Sequence, residues 1–308
     1  MINRILIRIK IIQIIYAYYQ KESKDIVLAE NELLHSLRKS YDLYHHLLLL
    51  IPALTDFEQK RLDKKKNKYL ATEEEKNPNT RFINNRFSEQ LSNNKQLAAF
   101  FNEKGSIWID ERVFLEKLLD QIISSDIYAE YLESPDTYES DKEFWRKAFI
   151  QHVVNSNEAF EELLEDKSIY WNDDLDIIGT FALKSIKKFE KQTMPDYQLL
   201  PMFKDEEDKL FATKLLKHSI VEKDSHNERI NKHIKNWDID RVACIDLYIM
   251  QIAISELLNF PSIPINVTLN EYIDIAKHYS TSKSGTFING TLDAIVNELK
   301  NEKILFKN

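Results

Sequence analysis

The sequence predicts an all-α fold, and three observations carry that prediction. Only four glycines and seven prolines occur in 308 residues, too few for the tight turns that strand-rich folds consume. Apolar residues recur at three- and four-residue intervals through most of the chain, the period of a helix buried on one face. Hydrophobic residues make up 43% and charged residues 30% of the chain, a balance that supports a sizeable core beneath a heavily charged surface.

The elements follow in order. A helix is expected over 3–20, with Arg4, Arg8 and Lys10 near one face and Ile5, Ile9, Ile12 and Tyr16 along another. Residues 1–20 contain no Asp or Glu, so these cations form a basic island in a chain whose net charge is −8. A second helix over 27–51 is read from Leu33, Leu34, Leu37, Tyr41, Tyr44, Leu47, Leu48 and Ile51, with Pro52 expected to stop it. From 57 to 87 apolar periodicity fades and charge dominates. The lysine run at 60–68 reads as a solvated helix end or loop, with contact to a phosphate backbone as the alternative. Asn77-Pro78-Asn79 is a break.

Helical patterning resumes over 113–133, ended by Ser134-Pro135, and continues over 141–166 and 175–190. Pro195 and Pro201 mark a linker. A polar helical stretch at 205–237 leads into an apolar helix within 241–260, and Pro261 and Pro264 precede two helices at 266–279 and 284–300. Segments starting at Phe144 and Phe211 each run through a polar stretch to a tryptophan (Trp171, Trp237), a short acidic segment and an apolar helix. This suggests a degenerate repeat at 143–190, against the alternative that two amphipathic helix pairs match by chance. Asp173, Asp174, Asp238 and Asp240 are expected to cap helix starts.

Several chemistries are excluded. Four scattered glycines make neither a phosphate-cradling loop nor a dinucleotide-binding turn. The lone Cys244 rules out a disulfide framework and a cysteine zinc site, and reads as a small buried hydrophobe. His45 and His46 are adjacent and point to different sides of a helix, and no His-Glu-x-x-His motif occurs. No nucleophile has an identifiable base. Enzymatic activity and cofactors are therefore not expected. The charged start does not read as a signal peptide, and the Leu47–Ile51 run is too short to cross a bilayer, so the expectation is a cytoplasmic protein without membrane contact. What remains is binding: cations that hold phosphates, and Gln13, Tyr16, Tyr18 and Tyr19, whose rings can stack on unpaired bases. A solvent-facing stripe is the competing reading.

Four segments carry a resemblance. The run IAISELL at 252–258, then PSIPINVTLNEYIDIAKHY at 261–279 with its Asn-Glu-x-x-x-x-Ala-Lys pattern, then KSGTFINGTLDAI at 283–295 follow one another in order, and RIKIIQIIYAYYQ lies in the first helix at 8–20. Together these resemble the transcription antitermination factor NusB family. The resemblance implies a NusB-like helical bundle with additional helices: a basic helix at 1–20, an additional helical region at 21–204, and an RNA-binding helical domain at 205–300. It implies a non-catalytic adaptor that binds single-stranded boxA-like RNA of nascent ribosomal RNA transcripts together with NusE, a small-subunit ribosomal protein, in an antitermination complex on RNA polymerase. The NusE-facing surface would lie mainly on the helices before the proline linker, and a homodimer is compatible with the reading. The RNA-contacting residues carried over are Arg4, Arg8, Lys10, Gln13, Tyr16, Lys283, Ser284, Phe287 and Asn289.

Two alternatives are weighed. A protein-only scaffold would bind NusE or polymerase components with little RNA contact, and the net charge and thinned arginines favour it. An RNA cytosine methyltransferase with a NusB-like domain would need a methyl-donor loop that the glycines do not provide. Within the last motif, Ser284 is expected to cap the helix, Gly285 to leave its start uncrowded for a phosphate, and Phe287 to stack on a base or pack under the loop. Gly290 would mark a close helix–helix approach, with Ile288, Leu292 and Ile295 facing the core and Asn289 beside the gap.

Overall fold

A computed structural model describes residues 1–307 except 23, 156–157, 235–242 and 282. The described residues are helical in nearly every element: α1 Arg4–Gln20, α2 Ile26–Lys66, α3 Glu73–Lys76, α4 Arg86–Ser92, α5 Lys95–Lys104, α6 Arg112–Ile123, α7 Asp126–Glu133, α8 Tyr138–Phe149, α9 Glu158–Lys167, α10 Leu175–Lys188, α11 Glu206–Val221, α12 Lys223–His233, α13 Cys244–Asn259, α14 Ile265–Tyr279 and α15 Ser284–Asn301. No strand occurs among them; the only extended pairing is an isolated bridge between Ile2 and Phe203. The all-α prediction holds. Trp237, Asp238 and Asp240 lie outside the described residues.

The chain divides into two compact bodies: Met1 with Arg38–Met202, and Ile2–Leu37 with Phe203–Asn308.

The first body is built along α2, which does not stop at Pro52 but runs through it to Lys66. A proline inside a helix costs about 3 kcal/mol. Here one apolar stripe, Leu43, Leu47, Leu50 and Leu54, continues across the site and is buried throughout, and burying each such side chain returns roughly 1.5–3 kcal/mol. Aromatic rings fill the rest of this core, including Phe82, Phe87, Trp108, Trp145, Phe149 and Phe189. Two tryptophans fasten to α2 itself: Trp108 Nε1 donates to the His46 carbonyl at 2.6 Å and Trp171 Nε1 to the Lys39 carbonyl at 2.7 Å.

The stretch read as one helix at 113–133 is two, α6 and α7, parted where the Ser125 side chain accepts from the Tyr128 amide. A serine hydroxyl satisfies a helix's free amides better at its start than inside it. Asp174 precedes α10 but makes no cap; its carboxylate accepts from the Ser40 hydroxyl instead.

His45 and His46 diverge less than adjacency suggested. Both are buried, and both rings meet Phe100, His45 stacked at 4.6 Å and His46 edge-on at 5.0 Å. Burial holds both below the ordinary histidine range, His46 down to about 3. Its neutral form is therefore the one the fold accepts.

The second body packs α1 against α11 and α13, and α13 against α12, α14 and α15. Asn3 caps α1 by accepting from the Leu6 amide. Leu6, Ile7, Ile11 and Ile15 are fully buried, so α1 is covered on several sides rather than on one. Cys244, expected to be buried, is exposed in the first turn of α13, before that helix enters the core.

The two glycines of α15 exchange their expected roles. A Cβ at Gly285 would lie 3.2 Å from Lys277 Cγ of α14, while one at Gly290 would meet nothing within 4 Å. The close approach is at the helix start, where α14 and α15 meet, and Gly290 faces open space.

Two measurements test this description. Because the unfolded chain takes up a proton near pH 6.5 that folded His46 refuses until about pH 3, stability should fall as pH drops through that window, by up to ~1.4 kcal/mol per unit for this group. Urea unfolding from pH 7 to 4 should show this, with a shallower slope in His46→Leu. Gly290→Ala should stabilise the protein by about 0.5–1 kcal/mol in thermal unfolding, and Gly285→Ala should gain less because Lys277 must move.

Candidate nucleic-acid interface

The cations of α1 determine what this helix can present. Arg8 is 2% exposed and Lys10 1%. Arg8 donates from Nε and Nη2 to the two oxygens of Glu256, each at 2.8 Å, and from Nη1 to Glu271 at 3.2 Å. Thr268 and Tyr272 hydroxyls also donate to Glu256, both at 2.9 Å. One carboxylate on α13 thus accepts four hydrogen bonds from α1 and α14, leaving no lone pair idle. Burial alone would lower the Arg8 guanidinium, but its hydrogen bond and charge pairing with Glu256 outweigh that and hold it above its ordinary value. The Tyr272 hydroxyl is raised well above its usual range, first by burial and then by Glu256.

Arg4 is half-buried and bonds Glu207 at 2.9 Å and Asp208 at 3.1 Å in the first turn of α11. Both arginines lie over the Phe211 ring, at 5.0 and 5.5 Å. The arginines expected on an open basic face are therefore enclosed by α11, α13 and α14. Of the residues expected on the apolar face, Ile5 and Tyr16 turn outward, 40% and 45% exposed, while Ile9 and Ile12 between them are buried as expected.

That outward face forms a hollow. Ile9, Ile12, Gln13 and Tyr16 of α1, Ile245 of α13 and Tyr279 of α14 enclose about 280 Å³. Tyr16 meets Tyr248 edge-on at 6.3 Å, Tyr248 meets Tyr19 at 5.2 Å, and Lys223 Nζ stands 4.0 Å from the Tyr19 ring centre. A row of three tyrosines thus runs from the hollow to a cation, an arrangement suited to stacking with charge support.

The start of α15 is tied to the same wall. Ser284 Oγ donates to Asp246 Oδ2 at 2.8 Å, one residue after Ile245, and accepts from the Thr281 amide at 3.2 Å. Ser284 is buried and opens α15 as a helical residue rather than capping it; Lys283 holds the N-cap position without a side-chain bond. Lys283 and Asn289 are exposed, and Phe287 is half-buried.

Of the nine residues carried over, the structure brings Gln13 and Tyr16 together at the hollow and Arg4 and Arg8 together over Phe211. Arg8, Lys10 and Ser284 are buried away from solvent. Tyr248, Tyr279 and Lys223 were missed. Tyr248 lies in the second turn of α13 and Tyr279 ends α14, positions where a tyrosine reads equally as core; only their meeting with α1 sets them apart. Among the described residues no group of histidine, cysteine and carboxylate side chains could hold a metal ion, and no helix is long and apolar enough to cross a membrane.

Comparison with known proteins places this body. The sequence profile of the NusB family matches residues 176–297. The transcription antitermination protein NusB of Salinibacter ruber (strain DSM 13855 / M31) is 35% identical over 155 residues, covering 50% of this chain and 89% of its own. The chain belongs to the NusB family. The NusB of Geotalea daltonii (strain DSM 22248 / JCM 15807 / FRC-32) is 35% identical over 138 residues, covering 44% of this chain and 92% of its own. That of Chloroherpeton thalassium (strain ATCC 35110 / GB-78) is 43% identical over 97 residues, covering 32% of this chain and 46% of its own. A solved structure of T. maritima NusB aligns at 26% identity with 51% of this chain and 91% of its own, with a TM-score of 0.30.

The NusB signature residues thereby acquire physical roles. Glu256 and Glu271 hold Arg8, Lys277 lies against Gly285, and Ser284 fastens α15 to α13. Removing one member of a buried pair leaves the other charge uncompensated, at a cost of about 3–5 kcal/mol. Arg8→Met and Glu256→Leu should each lose stability on that scale in urea unfolding. The double variant should lose clearly less than the sum of the two.

Proposed function

We propose that this NusB-family chain is a non-catalytic transcription antitermination factor that binds boxA-like single-stranded RNA of nascent ribosomal RNA transcripts, together with NusE, in a complex on RNA polymerase. The observation that carries the RNA part is the hollow with the half-exposed Tyr16 ring and Gln13 at its rim. An aromatic face takes any unstacked base, and an amide beside it can donate to and accept from a base edge. Lys283 and Asn289, exposed on α15, would add a phosphate contact and a hydrogen bond. Arg8 and Ser284 contribute by fixing the helices that display these groups.

A second reading is a protein-only scaffold that binds NusE or polymerase components with little RNA contact. It is favoured by the enclosure of Arg8 and Lys10 and by the pairing of Arg4 with two carboxylates, which leaves α1 without an open cationic face.

Gel shifts with boxA-like RNA, with and without NusE, separate the two. On the first reading affinity rises with NusE and falls with salt. Tyr16→Ala should weaken RNA binding roughly tenfold, since one stacked base contributes about 1–3 kcal/mol, and adding Lys283→Ala should weaken it further. Unchanged affinity in the double variant would remove the RNA site from this face. Co-purification with NusE and no RNA-dependent gain would establish the scaffold instead.

A further inference from the structure

The lysine run at 60–68 lies outside the family-matched residues 176–297, and the reading above makes no use of it. On the first body, Lys60, Arg61, Lys64, Lys65 and Lys68 join Arg112, at the start of α6, in lining a hollow of about 450 Å³. One carboxylate, Glu116, shares its wall, and Phe57 and Ile109 give it apolar surface. Positions 57, 60, 61, 64 and 65 recur at one-, three- and four-residue steps, so a single face of α2 supplies them, and Lys68 follows in the turn just past the end of that helix.

Part of this charge has a purely structural use. Lys64, Lys65 and Lys66 fall in the last turn of α2, where cations complement the helix dipole. That accounts for neither Arg112 on another helix nor Ile109, which is 63% exposed at the hollow. Lys60 pairs with Asp56 at 2.6 Å, Lys68 with Glu75 at 2.8 Å, and Arg61 is shared between Glu58 and Asp120. Exposed pairs of this kind are worth about 0–1 kcal/mol, so a polyanion can draw Lys60 and Lys68 away. Among the described residues Lys64, Lys65 and Arg112 have no ion-pair partner. Directly after Lys68, Tyr69 is 100% exposed.

We propose that this hollow holds the phosphate backbone of single-stranded RNA, with Tyr69 stacking on a base, as a second RNA contact carried by the additional helices. Residues four apart on a helix advance by about 6 Å, a step of the same order as successive phosphates along a strand. The guanidinium fork of Arg112 suits phosphate oxygens, which it can hold through two parallel hydrogen bonds. A solvated tyrosine beside them serves a base better than it serves an acidic peptide. A concave basic hollow also cannot lie flat on an anionic bilayer. The contact is chemically independent of the Tyr16 hollow and stands or falls separately from it.

The test uses the full chain and a fluorescently labelled oligouridylate of about twelve nucleotides, which lacks any boxA-like element. Anisotropy titrations across a salt series should show binding by the unaltered chain. The triple variant Lys64→Ala, Lys65→Ala, Arg112→Ala should lose at least tenfold at low salt, and its log–log salt slope should flatten by about 2 for three lost phosphate contacts. Tyr69→Ala should lose several-fold with the slope retained, and Tyr16→Ala should leave this binding in place. All three residues of the triple variant are on the surface, and matching thermal unfolding curves establish that its fold is intact. Unchanged affinity and slope in the triple variant, or no oligouridylate binding by the unaltered chain, overturns the proposal. Binding of polyglutamate or of phosphatidylserine vesicles through the same three residues, at equal strength, overturns the assignment to RNA. Loss of boxA binding with oligouridylate binding retained would defeat the preceding functional reading and leave this one standing.

Discussion

The second body depends on how it accommodates a buried arginine. Taking Arg8 and Glu256 out of water costs several kcal/mol per ion before any attraction is counted. The fold offsets this with hydrogen bonds to both partners: two guanidinium nitrogens on two carboxylate oxygens, Thr268 and Tyr272 on the same oxygens, and the remaining nitrogen on Glu271. Because those partners come from α1, α13 and α14, one electrostatic requirement fixes three helices together. The orientation of α1 follows from it. With Arg8 turned inward, Ile9, Ile12, Gln13 and Tyr16 are left to form the hollow.

Much of the helical framework was legible. The three- and four-residue apolar spacing located most helices, Pro195 and Pro201 marked the linker before α11, and Pro261 and Pro264 marked the turn between α13 and α14. The facing of α1 was not legible. Its isoleucines and leucines run almost without interruption, and a helix apolar on every side has no period from which to read a buried face. Charge was then taken as the sign of the outer surface, which is the usual rule for unpaired cations. Arg8 escapes that rule through Glu256, 248 residues away, and a pairing at such a distance leaves no trace in the local pattern.

Pro52 and the two glycines of α15 show the same limit from the backbone side. Local propensity weighs a residue against its neighbours in sequence, whereas the outcome was set by neighbours in space. A buried leucine stripe carried α2 through its proline. At Gly285 the absent side chain makes room for Lys277, and at Gly290 it makes room for nothing. The motif that marked the family was easy to find, but its residues serve first to lock helices together. The surface tyrosines that could meet a ligand lay partly outside it.

The distance between Arg8 and Glu256 also has a consequence for synthesis. α1 leaves the ribosome long before the helices that cover it, and for that interval the nascent chain carries a nearly continuous apolar helix with an unpaired arginine on it. Contacts of such long sequence separation close late and slowly, and exposed apolar segments invite association with other chains.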